Sequence, residues 1–434
     1  GAVVNDKGEI ISISTLTAKD GQNLNFAIPI EEILSVDINA YKKNNIYPNK
    51  DLELLYKGRD AFDNGNYQEA EKYLNLFIGK YPRECTAYNN RGLIKAKLKN
   101  YNEAIKDFNK ALQIKPKYFS AIYSRGLAKY DLRDFKGALN DFNEAIKINT
   151  EDASLFNNRG ITKIELDESN GAIIDFNNAI YLDPNYGFAY TNRAFAKFIA
   201  GDYSGAMQDY NLAIEINPND DENFSGRGQV KDHLGDKQGA IQDYTKAINI
   251  NPNDASVYNN RGLLKNYLEE YDEAIKDFNS AIEINSNDDV YYSNRGLTKS
   301  NLGDYMGAIQ DYSKAIEINP NQVNSYYNRG CIKRSLDDFR GAIKDFIKET
   351  ELEPKYEEAY INYGALLIRL DDFNGAIKAF NKLLSVNPKN KDAYLNRGSV
   401  KAKSGDLSGA CIDWSKAGEL GEERAYKLIR DYCK

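Results

Sequence analysis

An all-α solenoid is the fold class this sequence predicts, and three periodic series predict it. A glycine or alanine recurs every 34 residues from Gly58 through Gly92, Gly126, Gly160, Ala194, Gly228, Gly262, Gly296, Gly330 and Gly364 to Gly398. An alanine keeps the same step from Ala70 to Ala410 without exception. Four residues after that alanine stands an aromatic ring, from Phe108, Phe142 and Phe176 through Tyr210 and Tyr244 to Trp414. A unit of this length buries its apolar face only by stacking on a neighbour, so residues 51–424 read as one stack of eleven repeats.

Ahead of the stack, residues 1–36 have another character. Val3-Val4, the turn Asn5-Asp6-Lys7-Gly8 and the alternating Ile10 to Ser14 read as strand, tight turn and strand, with Leu24 to Ile30 as a further strand. Two or three strands do not stand alone, so they read as one end of a larger β domain. Residues 37–50 form a polar linker. Because the sequence opens on Gly1 rather than Met, a preceding segment is expected.

Each repeat then reads as two amphipathic helices. In the seventh, Tyr258, Leu263 and Tyr267 recur at helical spacing, the polar break Glu269-Glu270 follows, and Ala274, Phe278, Ala281 and Ile282 mark a second stripe. Elsewhere the break is Gly-Asp, as at Gly201-Asp202. There glycine ends the first helix left-handed and aspartate caps the second. Proline closes most repeats, from Pro82 and Pro116 to Pro388. Gly or Ala on the first helix lets the two backbones approach, and the aromatic ring fills the gap between neighbours. Residues 422–434 form one more amphipathic helix without a new repeat, which reads as a C-terminal cap.

Aromatic, Gly, Ala, aromatic, Ala and Pro at these places of a 34-residue unit resemble the tetratricopeptide repeat. The resemblance implies a right-handed superhelix whose first helices line the concave face, and a scaffold that binds protein or peptide segments. The leader run GAVVNDKGEIISIST…GQNLNFAIPI resembles the last strands of trypsin-like serine endopeptidases of the high-temperature-requirement type. That resemblance implies a nucleophile just upstream of Gly1. Ala2 stands where that family has proline. The alternative function is therefore the C-terminal part of a repeat-bearing endopeptidase whose repeats recruit substrate or partners. This chain itself is expected to be no enzyme, because nucleophile and catalytic His are absent from it. The endopeptidase reading would place it outside the cytoplasm, and the scaffold reading within.

Composition bounds the rest. The chain is 42% hydrophobic and 28% charged with a formal net charge of -7. That charge leaves no global field drawing in a nucleic-acid backbone or anionic lipid. No apolar run approaches the roughly 18–20 residues that span a bilayer. His233 is the only histidine, which removes His-based triads and imidazole-rich metal sites, and no cofactor motif is present. The four cysteines, Cys85, Cys331, Cys411 and Cys433, share no metal-like spacing and read as isolated thiols without a disulfide.

Three features compete for a functional role. Nine Arg–Lys pairs, from Arg91 and Lys95 to Arg397 and Lys401, ride on first helices and could follow a phosphate backbone. A matching series from Asp107 to Asp413 rides on second helices, and it lapses where the pairs lapse. In the tenth repeat these places are Tyr363, Leu367 and Ala379. Joint loss is the behaviour of charge clusters joining the two helices, so nucleic acid is not an expected partner.

The second feature is asparagine one place before the Arg, at Asn90, Asn158, Asn192, Asn260, Asn294 and Asn328, interrupted by Ser124 and Gly226. By the resemblance this place faces the concave groove, where an amide can donate to and accept from a peptide backbone. A solvated or intrahelical amide accounts for the series equally well. The third is an apolar stretch in the third to fifth repeats, with Tyr130, Phe188, Phe195 and Phe198 as candidate anchors. Packing between repeats explains part of it. Only Arg334, Arg369 and Lys403 could clamp a terminal carboxylate, so a chaperone-type clamp is not expected.

Overall fold

The computed structural model describes residues 2–4, 10–13, 15–17, 23–25 and 48–433. Most of the leader and nearly all of the linker read at 37–50 lie outside the described residues. Within the leader, Ala2–Val4 pairs antiparallel with Ile10–Ile13, and Thr15–Thr17 with Asn23–Asn25. These are two separate two-stranded ladders. The β fragment of a barrel thus stays unconfirmed, since a barrel needs one closed sheet.

The described residues hold 23 helices in two compact halves, Gly1–Asn251 and Pro252–Lys434. In the N-terminal half they pair as Asn49–Asp63 with Tyr67–Lys80, Cys85–Lys97 with Tyr101–Ile114, and Phe119–Asp131 with Phe135–Ile148. Ala153–Ile164 with Ser169–Leu182, Gly187–Ile199 with Tyr203–Ile216, and Asp221–His233 with Lys237–Ile250 follow. In the C-terminal half Ala255–Tyr267 pairs with Tyr271–Ile284, Asp289–Leu302 with Tyr305–Ile318, and Val323–Ser335 with Phe339–Leu352. Glu357–Arg369 with Phe373–Val386 and Lys391–Lys403 with Leu407–Glu419 complete the pairs, and Glu423–Tyr432 stands last.

The turn within each pair forms as its residues dictate. Gly201 takes φ 84°, and the Asp202 carboxylate accepts from the Gly205 amide at 2.9 Å, capping the second helix. Where the glycine is missing, a larger residue takes the same left-handed turn, among them Arg133 at φ 61° and Glu269 at φ 62°. The tertiary frame outweighs the intrinsic cost of about 1–2 kcal/mol. Second helices end on an extended residue such as Lys115 ahead of Pro116, the conformation that a following proline favours.

The core is built from the periodic residues. Every alanine of the series from Ala70 to Ala410 is buried, and so are Phe108, Phe142 and Phe176. The close approach lies between ring and glycine rather than between two backbones. A methyl group at Gly160 would sit 2.6 Å from the Phe176 ring of its own repeat. The aromatic therefore fills space inside its own helix pair as well as beside the next.

Two of the four cysteines correct the isolated-thiol expectation. Cys411 and Cys433 form a disulfide with their Cα atoms 5.8 Å apart, while Cys85 and Cys331 are free. Helix packing brings the pair together from 22 residues apart, a proximity with no mark in local spacing. The bond ties down Glu423–Tyr432, with Tyr432 against Trp414 at 5.9 Å and the Tyr426 hydroxyl donating to the Gly418 carbonyl at 2.9 Å. Reducing the disulfide or substituting Cys433→Ser should accelerate amide exchange across Glu423–Tyr432 and leave earlier repeats unchanged. Unaltered exchange in that helix would show that packing alone holds it.

Candidate functional site

The charged ladder resolves into nine three-residue clusters. In one of them Arg159, on the first helix, donates from Nε to Asp175 Oδ2 at 2.9 Å, and Lys163 Nζ reaches the same oxygen at 2.7 Å. Asp175, on the second helix, is 0% exposed. The remaining arm of Arg159 donates from Nη1 to Asn143 Oδ1 at 2.9 Å, on the second helix of the preceding repeat. The guanidinium also lies 5.5 Å from the Phe156 ring centroid. One arginine thus joins three helices, and its donors are committed inside the protein. The same pairing recurs from Arg91 with Asp107 to Arg397 with Asp413. In the tenth repeat Tyr363, Leu367 and Ala379 pack as part of an apolar cluster instead. A full hydrophobic replacement of a buried charge cluster is the tolerated one.

Three of the six asparagines, Asn158, Asn192 and Asn294, bond between successive first helices. Asn192 Nδ2 donates to Asn157 Oδ1 at 2.9 Å, and Asn294 Nδ2 to Asn259 Oδ1 at 2.8 Å. Asn158 donates to the Tyr123 hydroxyl at 2.6 Å, Asn328 bonds the Tyr312 hydroxyl, and Asn260 Oδ1 lies 3.5 Å from Asn259 Nδ2. Asn90 is buried with its Nδ2 unpartnered. Tyr130 and Phe195 lie in one buried cluster with Tyr123 and Phe142. As placed, Asn90, Asn158, Asn192, Tyr130 and Phe195 are buried among packed side chains. Asn260, Asn294, Asn328, Phe188 and Phe198 are half-buried and open to solvent in part.

Several residues marked by spacing gather or stay exposed on the first helices. Phe198 lies edge-on to Tyr203 at 5.5 Å and to His233 at 5.0 Å, and His233 stacks on Tyr203 at 5.1 Å. Beside them Ile199 is 49% exposed. In the C-terminal half, Leu263, Tyr267 and Leu297 expose apolar surface on neighbouring first helices, Tyr267 at 69%. Arg369, a candidate clamp residue, is spent on the Phe339 ring at 4.4 Å and on Asp337 at 3.7 Å.

Three carboxyls are shifted upward, each chiefly by burial. Asp131 and Asp220 are pushed to about 6, and Glu349 to about 7 with Glu358 and Glu353 adding to it. Folding favours their neutral forms. For Glu349, that share of stability is complete below the ordinary 4.5 and is lost as pH rises through about 7. Burial likewise raises the Tyr186 hydroxyl, which has no hydrogen-bond partner among the described residues. Also among those residues, no group of three His, Cys, Asp or Glu is placed to hold a metal ion. Among the described residues no helix is long and apolar enough to cross a membrane.

Comparison with known families decides the nature of the helix pairs. Models described as tetratricopeptide repeat match residues 85–118, 189–220, 255–288, 323–356 and 357–390, and one described as TPR repeat matches 233–266 and 299–333. The chain carries tetratricopeptide repeats. A tetratricopeptide repeat protein from Parabacteroides merdae shares the fold, at 25% identity and TM-score 0.50, over 58% of this chain and 99% of that one. Yeast Tom70 aligns at 19% identity and TM-score 0.36 over 87% of this chain and 93% of its own. YrrB, described as a TPR protein with an unusual peptide-binding site, aligns at 22% and 0.37 over 43% and 97%. No curated protein matches the chain. The peptidase resemblance of residues 1–36 gains no support, since no matched repeat model covers them. Nothing in the comparisons indicates peptidase activity.

Proposed function

We propose that this tetratricopeptide-repeat scaffold binds extended peptide segments along the row of its first helices. One observation carries the reading. The first-helix face keeps large apolar side chains in water beside half-buried amides, while the cations of the same helices are committed to aspartates. In the C-terminal half, Leu263, Tyr267 and Leu297 accompany Asn260 and Asn294. In the N-terminal half, Phe198 and Ile199 accompany Phe188. Exposed apolar groups next to amides that both donate and accept suit a strand-like segment, whose backbone the amides hold and whose side chains the apolar groups anchor. A first helix of 13 residues is about 20 Å long, which admits an extended chain across it but not a folded domain.

Screening a peptide library against the whole chain and comparing Phe198→Ala with Asn301→Ala tests this. Asn301 donates to Asn266 at the exposed edge of the row and serves as a rim control. Loss of an aromatic anchor is expected to cost about 2 kcal/mol of binding, and loss of the rim contact little. Phe195 is unsuited to the comparison because its truncation would open the core. Equal effects of the two substitutions would place the ligand elsewhere.

A further inference from the structure

Seven residues beyond the recurring alanine stands a second buried alanine, seen at Ala111, Ala145, Ala179, Ala213, Ala247, Ala281 and Ala315. In the ninth repeat that place holds Glu349, still only 1% exposed. A carboxyl has thus replaced a methyl in a packed position, and its Oε2 has no hydrogen-bond partner. Leaving such an atom unpartnered is unfavourable, so the substitution asks for something that meets it.

The surroundings specify what that is. Phe346, one turn before Glu349 on Phe339–Leu352, meets the Tyr327 ring with centroids 6.3 Å apart, so Glu349 follows on the helix that packs against this tyrosine. Tyr327, on Val323–Ser335, and Tyr356, just ahead of Glu357–Arg369, meet edge to face with centroids 6.2 Å apart. The Tyr356 hydroxyl donates to Glu358 Oε2 at 3.3 Å, bringing a second carboxylate to the same place. Tyr356 is itself exposed, which opens the cluster to solvent. Arg334 borders the cluster, donating from Nη1 to Asn362 Oδ1 at 3.0 Å and from Nη2 towards Cys331 Sγ at 3.9 Å. Among the described residues Glu349 has no ion-pair partner, although the buried aspartates of the clusters and Glu422 each have one, and Glu358 beside it is exposed.

We propose that Glu349, Glu358, Tyr327 and Tyr356 form a pocket for a lysine side chain of the bound peptide. An ammonium supplies a donor to Glu349 Oε2, which lacks one, and a counter-charge to Glu358, and its charge is favoured at tyrosine ring faces. An anion would meet two carboxylates. An apolar group would leave Oε2 unpartnered. The pocket rests on the peptide-binding reading, and it gives the C-terminal half a specificity that the apolar anchors do not.

The test uses the whole chain and an alanine–asparagine nonapeptide with one central lysine, alongside its Nε-acetylated counterpart. The lysine peptide should bind at least tenfold more tightly. Glu349→Gln and Glu349→Ala should both abolish that difference. Glu349→Ala should also fold with a higher Tm, since eight other repeats carry alanine there, Ala417 among them, so lost binding would not mean lost folding. Affinity for the lysine peptide should rise from pH 6 to 8 as Glu349 ionises against the field of Glu358 and Glu353, lysine remaining charged throughout. Cys331, Tyr327 and Tyr356, each raised chiefly by burial, are neutral over that range. Library peptides whose binding ignores acetylation and Glu349 substitution would overturn the pocket while leaving the scaffold reading intact. Failure of every peptide, with n-butylammonium still shifting the Tyr327 and Tyr356 ring resonances of the wild type but not of Glu349→Ala, would uphold the pocket and sink the scaffold reading.

Discussion

Asp243→Ala should destabilise the N-terminal half by about 3 kcal/mol, because it strands two cations that keep only 17% and 20% of their side chains in water. Arg227 Nε lies 2.8 Å from Asp243 Oδ2 and Lys231 Nζ 2.7 Å from the same oxygen, with Asp243 buried. Arg227 also donates from Nη1 to Asn211 at 2.8 Å, so its disturbance reaches the preceding repeat. Urea unfolding followed by hydrogen exchange should show the loss centred on Asp221–His233 and Lys237–Ile250. Asp243→Asn should cost less, since it keeps hydrogen-bond acceptance and shape but removes the charge. The chain also contains its own rescue. Carrying the tenth-repeat set across, as Arg227→Tyr, Lys231→Leu and Asp243→Ala together, should restore most of the loss, as apolar replacement of a whole buried cluster does. A double-mutant cycle between Arg227 and Asp243 that returns no coupling would refute the cluster's role.

How much of this was legible beforehand depends on where each residue finds its partner. The alanine, glycine and aromatic series satisfy one another within a single repeat, 16 residues apart for Gly160 and Phe176, so the period carries them directly. The charged clusters were legible for the same reason, and their joint absence around Tyr363 acted as an internal control. The asparagines stay open between two readings because their partners belong to another repeat, as Asn192 with Asn157. Their helical face is readable from spacing, but whether that face is open or covered depends on how tightly the next helix lies. The disulfide was invisible for a related reason, since Cys411 and Cys433 meet only once the last helix has folded back. Left-handed turns at Arg133 and Glu269 show tertiary context overriding residue preference. Glu349 was visible as a break in an alanine series, a signal that counting glycines and aromatics passed over.

Gly226→Asn should cost about 3 kcal/mol, although it only restores the residue that most repeats carry at this place. The asparagine series lapses here because the neighbouring ring occupies the space. A Cβ on Gly226 would lie 2.4 Å from Cζ of Tyr210 and 2.5 Å from its hydroxyl oxygen. Tyr210 leans this way because its own repeat has Ala194 where the others have glycine. Ala194 and Tyr210 share a buried cluster with Ala206 and Val230. Elsewhere the ring settles over the glycine, as Tyr244 does over Gly228, where an added methyl would come within 2.9 Å. The Ala194 methyl and the missing side chain at 226 are thus two halves of one exchange of volume. Overpacking a buried ring typically costs 1–3 kcal/mol, and the upper figure applies here because the ring is closed in on both sides. Combining Gly226→Asn with Ala194→Gly should recover most of that cost, since Tyr210 can then lie back over position 194 and its hydroxyl can meet the asparagine, as Tyr312 meets Asn328. Ala194→Gly alone should be mildly destabilising, because it opens a void and adds a helix-interior glycine. Thermal unfolding of the two single variants and the double variant measures the coupling directly. Strictly additive effects would mean that the lapse at Gly226 has no connection with Ala194.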